Sequence, residues 1–142
     1  MFRRGPKLQI KTDEQIRLMR AAGLVVADAL DAVTAAVTPG VTGRELDSIA
    51  EEVIRSAGAV PSFLGYFGYP ASICVSVDNA IVHGIPNDDP IPEGSLVSVD
   101  CGAILQGWHG DSAVTCAVWH VGRGALELSN VTRSALWHGL AH

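Results

Sequence analysis

The chain has 142 residues, 48% of them hydrophobic and 18% charged, which fits one globular domain and excludes a disordered or collagen-like polypeptide. Its formal charge of −5 disfavours nucleic acid as a general partner. Its apolar runs fall well short of the roughly 20 residues a membrane span needs, and Met1–Lys7 has no signal-type apolar stretch, so a cytoplasmic location is expected. Cys74, Cys101 and Cys116 form no Cys-x-x-Cys pair and are odd in number, which speaks against a disulfide framework or a thiolate zinc site.

In chain order, residues 1–11 read as a tail whose Arg3, Arg4, Lys7 and Lys11 make a small basic tip that could touch an anionic surface. Residues 12–142 read as one domain. Thr12-Asp-Glu-Gln15 is a capping box, and Ile16, Met19, Ala22, Gly23, Val26, Leu30, Val33 and Val37 follow at helical spacing. Thr38-Pro-Gly40 stops that helix. Thr42-Gly-Arg-Glu45 opens a second one, with Leu46, Ile49, Val53 and Ile54 inward and an end at Gly58. From Ala59 the texture turns aromatic and Gly/Pro-rich. A strand over Ile73–Val77 follows, then a loop through His83-Gly-Ile-Pro86. Two helices followed by strands predict an α+β fold.

Leu96–Val99 and Ser112–Trp119 read as strands joined through glycines at 102, 107 and 110. With a turn at Leu105-Gln106, Asp100 and Asp111 stand directly opposite, their Cβ atoms about 4.5 to 5.5 Å apart. A bulge at Gly107 would instead slip the pairing by one and require a second bulge near Gly102 or Gly110 to restore a common face. The register stays open at this level. Facing carboxylates persist when one is protonated, when both point into water, or when a cation lies between them. Carboxylate oxygens suit hard or borderline divalent ions that activate water. Two solvated aspartates beside a surface hairpin are the plain alternative. After Gly124, the residues Leu126, Val131, Ala135, Leu136 and Leu140 begin a further helical stripe that the chain leaves in mid-pattern, an expectation of truncation.

The succession Ile10-Lys-Thr12, Met19-Arg-Ala-Ala-Gly23, Pro39-Gly-Val41, Glu45-Leu-Asp47, Pro61-Ser-Phe-Leu-Gly-Tyr66, Gly68-Tyr-Pro70, Ile73-Cys74, His83-Gly-Ile-Pro86, Asp100 and Gly107-Trp-His-Gly-Asp111 resembles the N-terminal half of a type I methionine aminopeptidase, from about Lys7 to the end of the chain. The resemblance implies the pita-bread fold, here as its N-terminal half, with two helices packed on an antiparallel sheet. It implies two divalent metal ions (Co, Mn, Fe or Zn) with Asp100 and Asp111 as ligands, Asp111 bridging them. His83 would stand beside the scissile amide and assist with the proton.

Tyr66, Tyr69 and Cys74 match positions lining the pocket for the methionine side chain. Phe63 is a candidate for its wall, with core packing as the favoured reading of that residue. Cys101 and Cys116 read as buried structural thiols, and His109 as at most a neighbour of the ligands. The implied activity is removal of N-terminal Met from nascent chains. N-terminal Met peptides are the implied partners, with the ribosome surface as a further contact, no membrane, no specific nucleic acid, and a monomer when the domain is complete.

Two departures stand out. Asp78-Asn79 occupies a place where the family pattern has Asn followed by an acidic residue. The one His and two Glu that complete the family's metal site are also without counterparts, since Glu127, His120, His138 and His142 stand in unmatched contexts. The chain is therefore expected to bind metal weakly and to be inactive alone. A metal-free, pita-bread-like module that binds peptides or a partner is the competing expectation. A proline-directed or dipeptide-cleaving peptidase of the same fold ranks behind both.

Overall fold

The computed structural model describes residues 9–142; Arg3, Arg4 and Lys7 of the expected basic tip lie outside them. Helix α1 spans Asp13–Ala36 and helix α2 spans Gly43–Ser56. Both open with complete capping boxes: the Thr12 and Thr42 side chains accept from the amides of Gln15 and Glu45, whose own side chains reach back to the cap amides. Each box satisfies two amides that a helix N-terminus leaves without an intrahelical partner.

The inward stripe of α1 is Ala22, Val25, Val26, Ala29, Leu30 and Val33. Ile16 and Met19, expected inward, are 52% and 38% exposed, because the first turns of α1 carry no buried residue. Lys11 is not a free end: its ammonium lies 5.6 Å from the centre of the Trp108 ring, within cation–π range.

Strand β1 is the two-residue Val60–Pro61, β2 is Ile73–Val77, β3 is Leu96–Leu105 and β4 is Trp108–Ala117. All pairings are antiparallel: β3 carries β1 and β2 along one edge and β4 along the other. Alternation sorts the strands into two faces. Val97, Val99, Cys101 and Ala103 of β3, with Ile73 and Val75 of β2, pack with Leu46, Ala50 and Ile54 of α2 and the stripe of α1 into one core. Fully burying a side chain such as Leu46 or Ile54 contributes about 1.5 to 3 kcal/mol, and both are 0% exposed.

Gly110 lets α1 approach β4. A Cβ there would stand 2.6 Å from the Ala22 carbonyl and the Gly23 amide nitrogen. The opposite face of the sheet carries Cys74, Ser98, Asp100, Gly102, Asp111 and Ala113 and is covered by neither helix.

The expected hairpin forms, in a different register. Its two-residue turn is Gln106-Gly107, with Leu105 paired to Trp108. Both turn residues have positive φ, 52° and 80°, the signature of the tight turn that matches strand twist. Asp100 therefore pairs with Ala113, and Asp111 with Gly102. The directly opposed arrangement of the two aspartates is corrected to a diagonal one, and no bulge is needed to keep them on one face.

Helix α3 spans Arg123–Leu140 and has no buried residue. No helix among the described residues is long and apolar enough to cross a membrane.

Candidate metal and substrate site

The site grows from the uncovered sheet face. Asp100 is half-buried and Asp111 exposed, and as diagonal cross-strand neighbours their Cα atoms lie about 7 to 8 Å apart, close enough for the carboxylates to converge. Burial raises the Asp100 pKa, and the charge of Asp111 raises it further, while His83 and the Cys101 amide oppose the rise. Asp100 thus stands in the field of Asp111. A divalent cation would relieve that repulsion, and two carboxylates are the oxygen donors such an ion prefers. The pair fits as part of a ligand set. Among the described residues no group of three or more His, Cys, Asp or Glu side chains is placed to hold a metal ion.

Cys74 of β2 pairs with Asp100 across the ladder and so lies on the same face. It is buried, and burial first of all pushes its thiol pKa up, with Tyr69 opposing the rise and Asp100 and Asp111 adding to it. Cys101 points the other way, into the core. Its pKa is pushed up to about 12, chiefly by burial, and with Cys116 it is the buried structural thiol expected.

Gly102 explains where Phe63 goes. A Cβ on Gly102 would lie 2.9 Å from both the Phe63 ring and the Ser62 Cβ. A glycine in mid-strand marks the close approach of another group, and here the segment after β1 crosses the face at that point. Phe63 is half-buried and absent from the helix-side core. The core reading of Phe63 is therefore overturned: the ring sits on the same face as the two aspartates.

Ser62 fastens this crossing, its amide donating to the Gly102 carbonyl at 2.9 Å and its hydroxyl lying 3.2 Å from His109 Nδ1. His109 shares the face of Asp111, as two-residue spacing along a regular strand requires, and its partner is Ser62. Tyr69 is half-buried, with its hydroxyl 3.1 Å from the carbonyl oxygens of Ile73 and Gly84. Tyr66 is 67% exposed and the neighbouring Phe67 94%. Tyr66 stands in an edge-to-face pair with Phe67, centroids 4.6 Å apart.

His83 lies in the loop after β2, exposed and with φ of 59°. Its field opposes the rise of the Asp100 pKa.

Two residues singled out in the sequence without a role turn out to be supports. Asp47 Oδ1 accepts from the amides of Ser72 (2.8 Å) and Ile73 (3.0 Å), fixing the start of β2 to α2. Asp78, at the departure from the family pattern, takes hydrogen bonds from the Leu96 amide (2.9 Å) and the Ser95 hydroxyl (3.0 Å), tying the end of β2 to the start of β3. Their hydrogen-bond partners lie 17 or more residues away in sequence, so the contacts themselves were not legible there. The signal for the crossing segment was Gly102, a glycine within an otherwise regular strand.

The sequence profile of Metallopeptidase family M24 matches residues 17–142. The chain belongs to this family. It is 52% identical over 128 residues to methionine aminopeptidase 1 of Mycobacterium tuberculosis, covering 89% of this chain and 48% of that protein. It is 44% identical to the methionine aminopeptidase of Clostridium acetobutylicum, covering 92% and 53%.

Among solved structures, the methionine aminopeptidase of Rickettsia prowazekii superposes with a TM-score of 0.90 at 38% identity, over 92% of this chain and 53% of that one. The prolidase of Pyrococcus furiosus, at 23% identity and a TM-score of 0.76, shares the fold. The chain of this M24 member spans about half the length of the curated relatives it matches, and its architecture is the corresponding half of the pita-bread fold.

Proposed function

We propose that this M24 chain contributes the aspartate pair, the substrate-side imidazole and the side-chain pocket of a methionine aminopeptidase that removes N-terminal Met from nascent chains in the cytoplasm. The observation that carries the reading is the gathering of Asp100, Asp111, Cys74 and Phe63 on the sheet face turned away from α1 and α2, with Tyr69 in the segment that crosses it and His83 in the loop after β2. Asp100 and Asp111 would hold divalent metal, which when bound polarises the scissile carbonyl and activates water.

Every other task belongs to side chains. Phe63, Tyr66, Tyr69 and Cys74 offer soft, polarizable surface to a thioether and exclude a charged side chain, which would lose its hydration there. His83 would donate to the scissile amide and assist with its proton. A free N-terminal amine is the polar end of the substrate, and the acidic face formed by the two aspartates favours it. The two carboxylates fall short of a full cage, so the isolated chain is expected to bind metal weakly and to show no turnover. A pure binding module, the competing expectation, has no use for a diagonal carboxylate pair sharing one sheet face.

The test is a chimera in which residues 17–142 replace the matching part of the Mycobacterium tuberculosis relative. It should release Met from Met-Ala-Ser only with added divalent metal. Asp111→Asn should lower kcat/KM by at least about 100-fold, the loss of several kcal/mol of charge stabilisation. Full activity in excess chelator, or in the Asp111→Asn chimera, would remove the proposal.

A further inference from the structure

The Tyr69 hydroxyl joins two segments that are distant in sequence. One acceptor, the Ile73 carbonyl, opens β2; the other, the Gly84 carbonyl, immediately follows His83. A phenol has one hydrogen, here shared between two oxygens. Burial, and next the neighbouring Cys74, raise the Tyr69 pKa, which favours the protonated, donating phenol.

Gly84 is held from three directions. Its carbonyl also accepts from the Val75 amide at 2.9 Å, and its own amide lies 3.1 Å from Ser76 Oγ. The fit is so close that any Cβ on Gly84 would collide with the Val75 carbonyl. Directly before this anchor His83 adopts φ of 59°, a conformation uncommon for a residue with a side chain and kept only where its surroundings impose it. At its other end Tyr69 belongs to the crossing segment, fixed at Ser62 by Gly102 and His109 and at Ser72 and Ile73 by Asp47.

We propose that Tyr69 is a positioning residue: its hydroxyl, bonded to the Gly84 carbonyl, holds His83 in its left-handed conformation and couples the aromatic segment to that histidine. The importance of the coupling for the reaction rests on the reading of His83 given above, whereas the tether itself requires neither metal nor substrate. A side chain entering the pocket against the Tyr69 ring would thereby bear on the placement of the imidazole.

Tyr69→Phe keeps the ring and deletes the hydroxyl. In the isotopically labelled chain, without metal, exchange of the Val75 and Gly84 amides should accelerate about fivefold, the loss of one net hydrogen bond. Exchange at Val99 and Val114, in the centres of β3 and β4, should hold. The His83 ring carbon and proton signals should move toward the averaged values of a histidine in an unstructured peptide of the same local sequence. Unchanged Gly84 exchange and unchanged His83 signals would overturn the proposal. So would a uniform acceleration across β3 and β4, which would make Tyr69 a general stabiliser. Failure of the chain to bind metal would count against the aspartate reading alone and leave these signals as expected.

Discussion

At the scale of single residues, Asp100 shows how a site can work against its own fold. Its folded-state pKa lies above the ordinary 3.8, first through burial and then through the charge of Asp111. A raised folded pKa means that the folded chain binds the proton more tightly than the unfolded chain does. The resulting stability is fully present below the unfolded value and lost as pH rises through the folded one. At neutral pH the ionised Asp100 is therefore a net cost to the metal-free chain. Asp100→Asn, nearly the same size and uncharged, should melt at a higher temperature than the parent chain at pH 7, with the gap closing as pH falls toward about 4. Divalent metal should act in the opposite sense, raising the midpoint of the parent and leaving the variant unmoved. Thermal melts at the two pH values, with and without Mn2+, read all of these outcomes, and a variant less stable at pH 7 would contradict them.

At the scale of elements, local chemistry was legible and pairing was not. Thr12/Gln15 and Thr42/Glu45 marked both helix starts because a capping box is a contact between near neighbours in sequence. The strand over Ile73–Val77 was equally plain. The hairpin register hinged on Gln106, which adopts φ of 52° although the residue type does not announce it. Only Gly107 advertised the turn, so the register stayed open; a turn one residue earlier, at Leu105-Gln106, moves the partner of Asp100 by two residues, from Ala113 to Asp111. The site residues themselves emerged through resemblance, since two aspartates beside glycines carry little specificity. Phe63 was misjudged because the space that receives it is an absence, the missing side chain of Gly102.

Gly110 is a similar case with a measurable consequence. It points at α1 while its neighbour Asp111 points at the site, so the strand cannot shift to relieve one without moving the other. Gly110→Ala drives a methyl to 2.6 Å from the backbone of Ala22 and Gly23. The expected destabilisation is about 1 to 3 kcal/mol, the usual cost of overpacking, read as a lower urea midpoint. Mn2+ affinity should fall with it as Asp111 is displaced. An unchanged midpoint would mean that α1 yields to the strand.

At the scale of the whole molecule, stability and apolar surface are unevenly placed. The core joins α1, α2 and one face of the sheet, whereas α3 has no buried residue and keeps Leu128, Val131, Leu136, Trp137 and Leu140 each about 60% exposed or more. These side chains, with Ala125, Leu126 and Ala135, occupy most of the helix circumference, a pattern typical of a helix that packs on more than one side. A helix held only by its own backbone is marginal in water at this length, and contiguous exposed apolar surface promotes association. Deleting Arg123–His142 should therefore alter the urea midpoint of the remaining chain by no more than about 0.5 kcal/mol, as expected for changes away from buried contacts. It should also remove concentration-dependent self-association of the intact chain, measured by sedimentation velocity. A fall of several degrees in the melting temperature would show that α3 supports the core through contacts on that apolar surface.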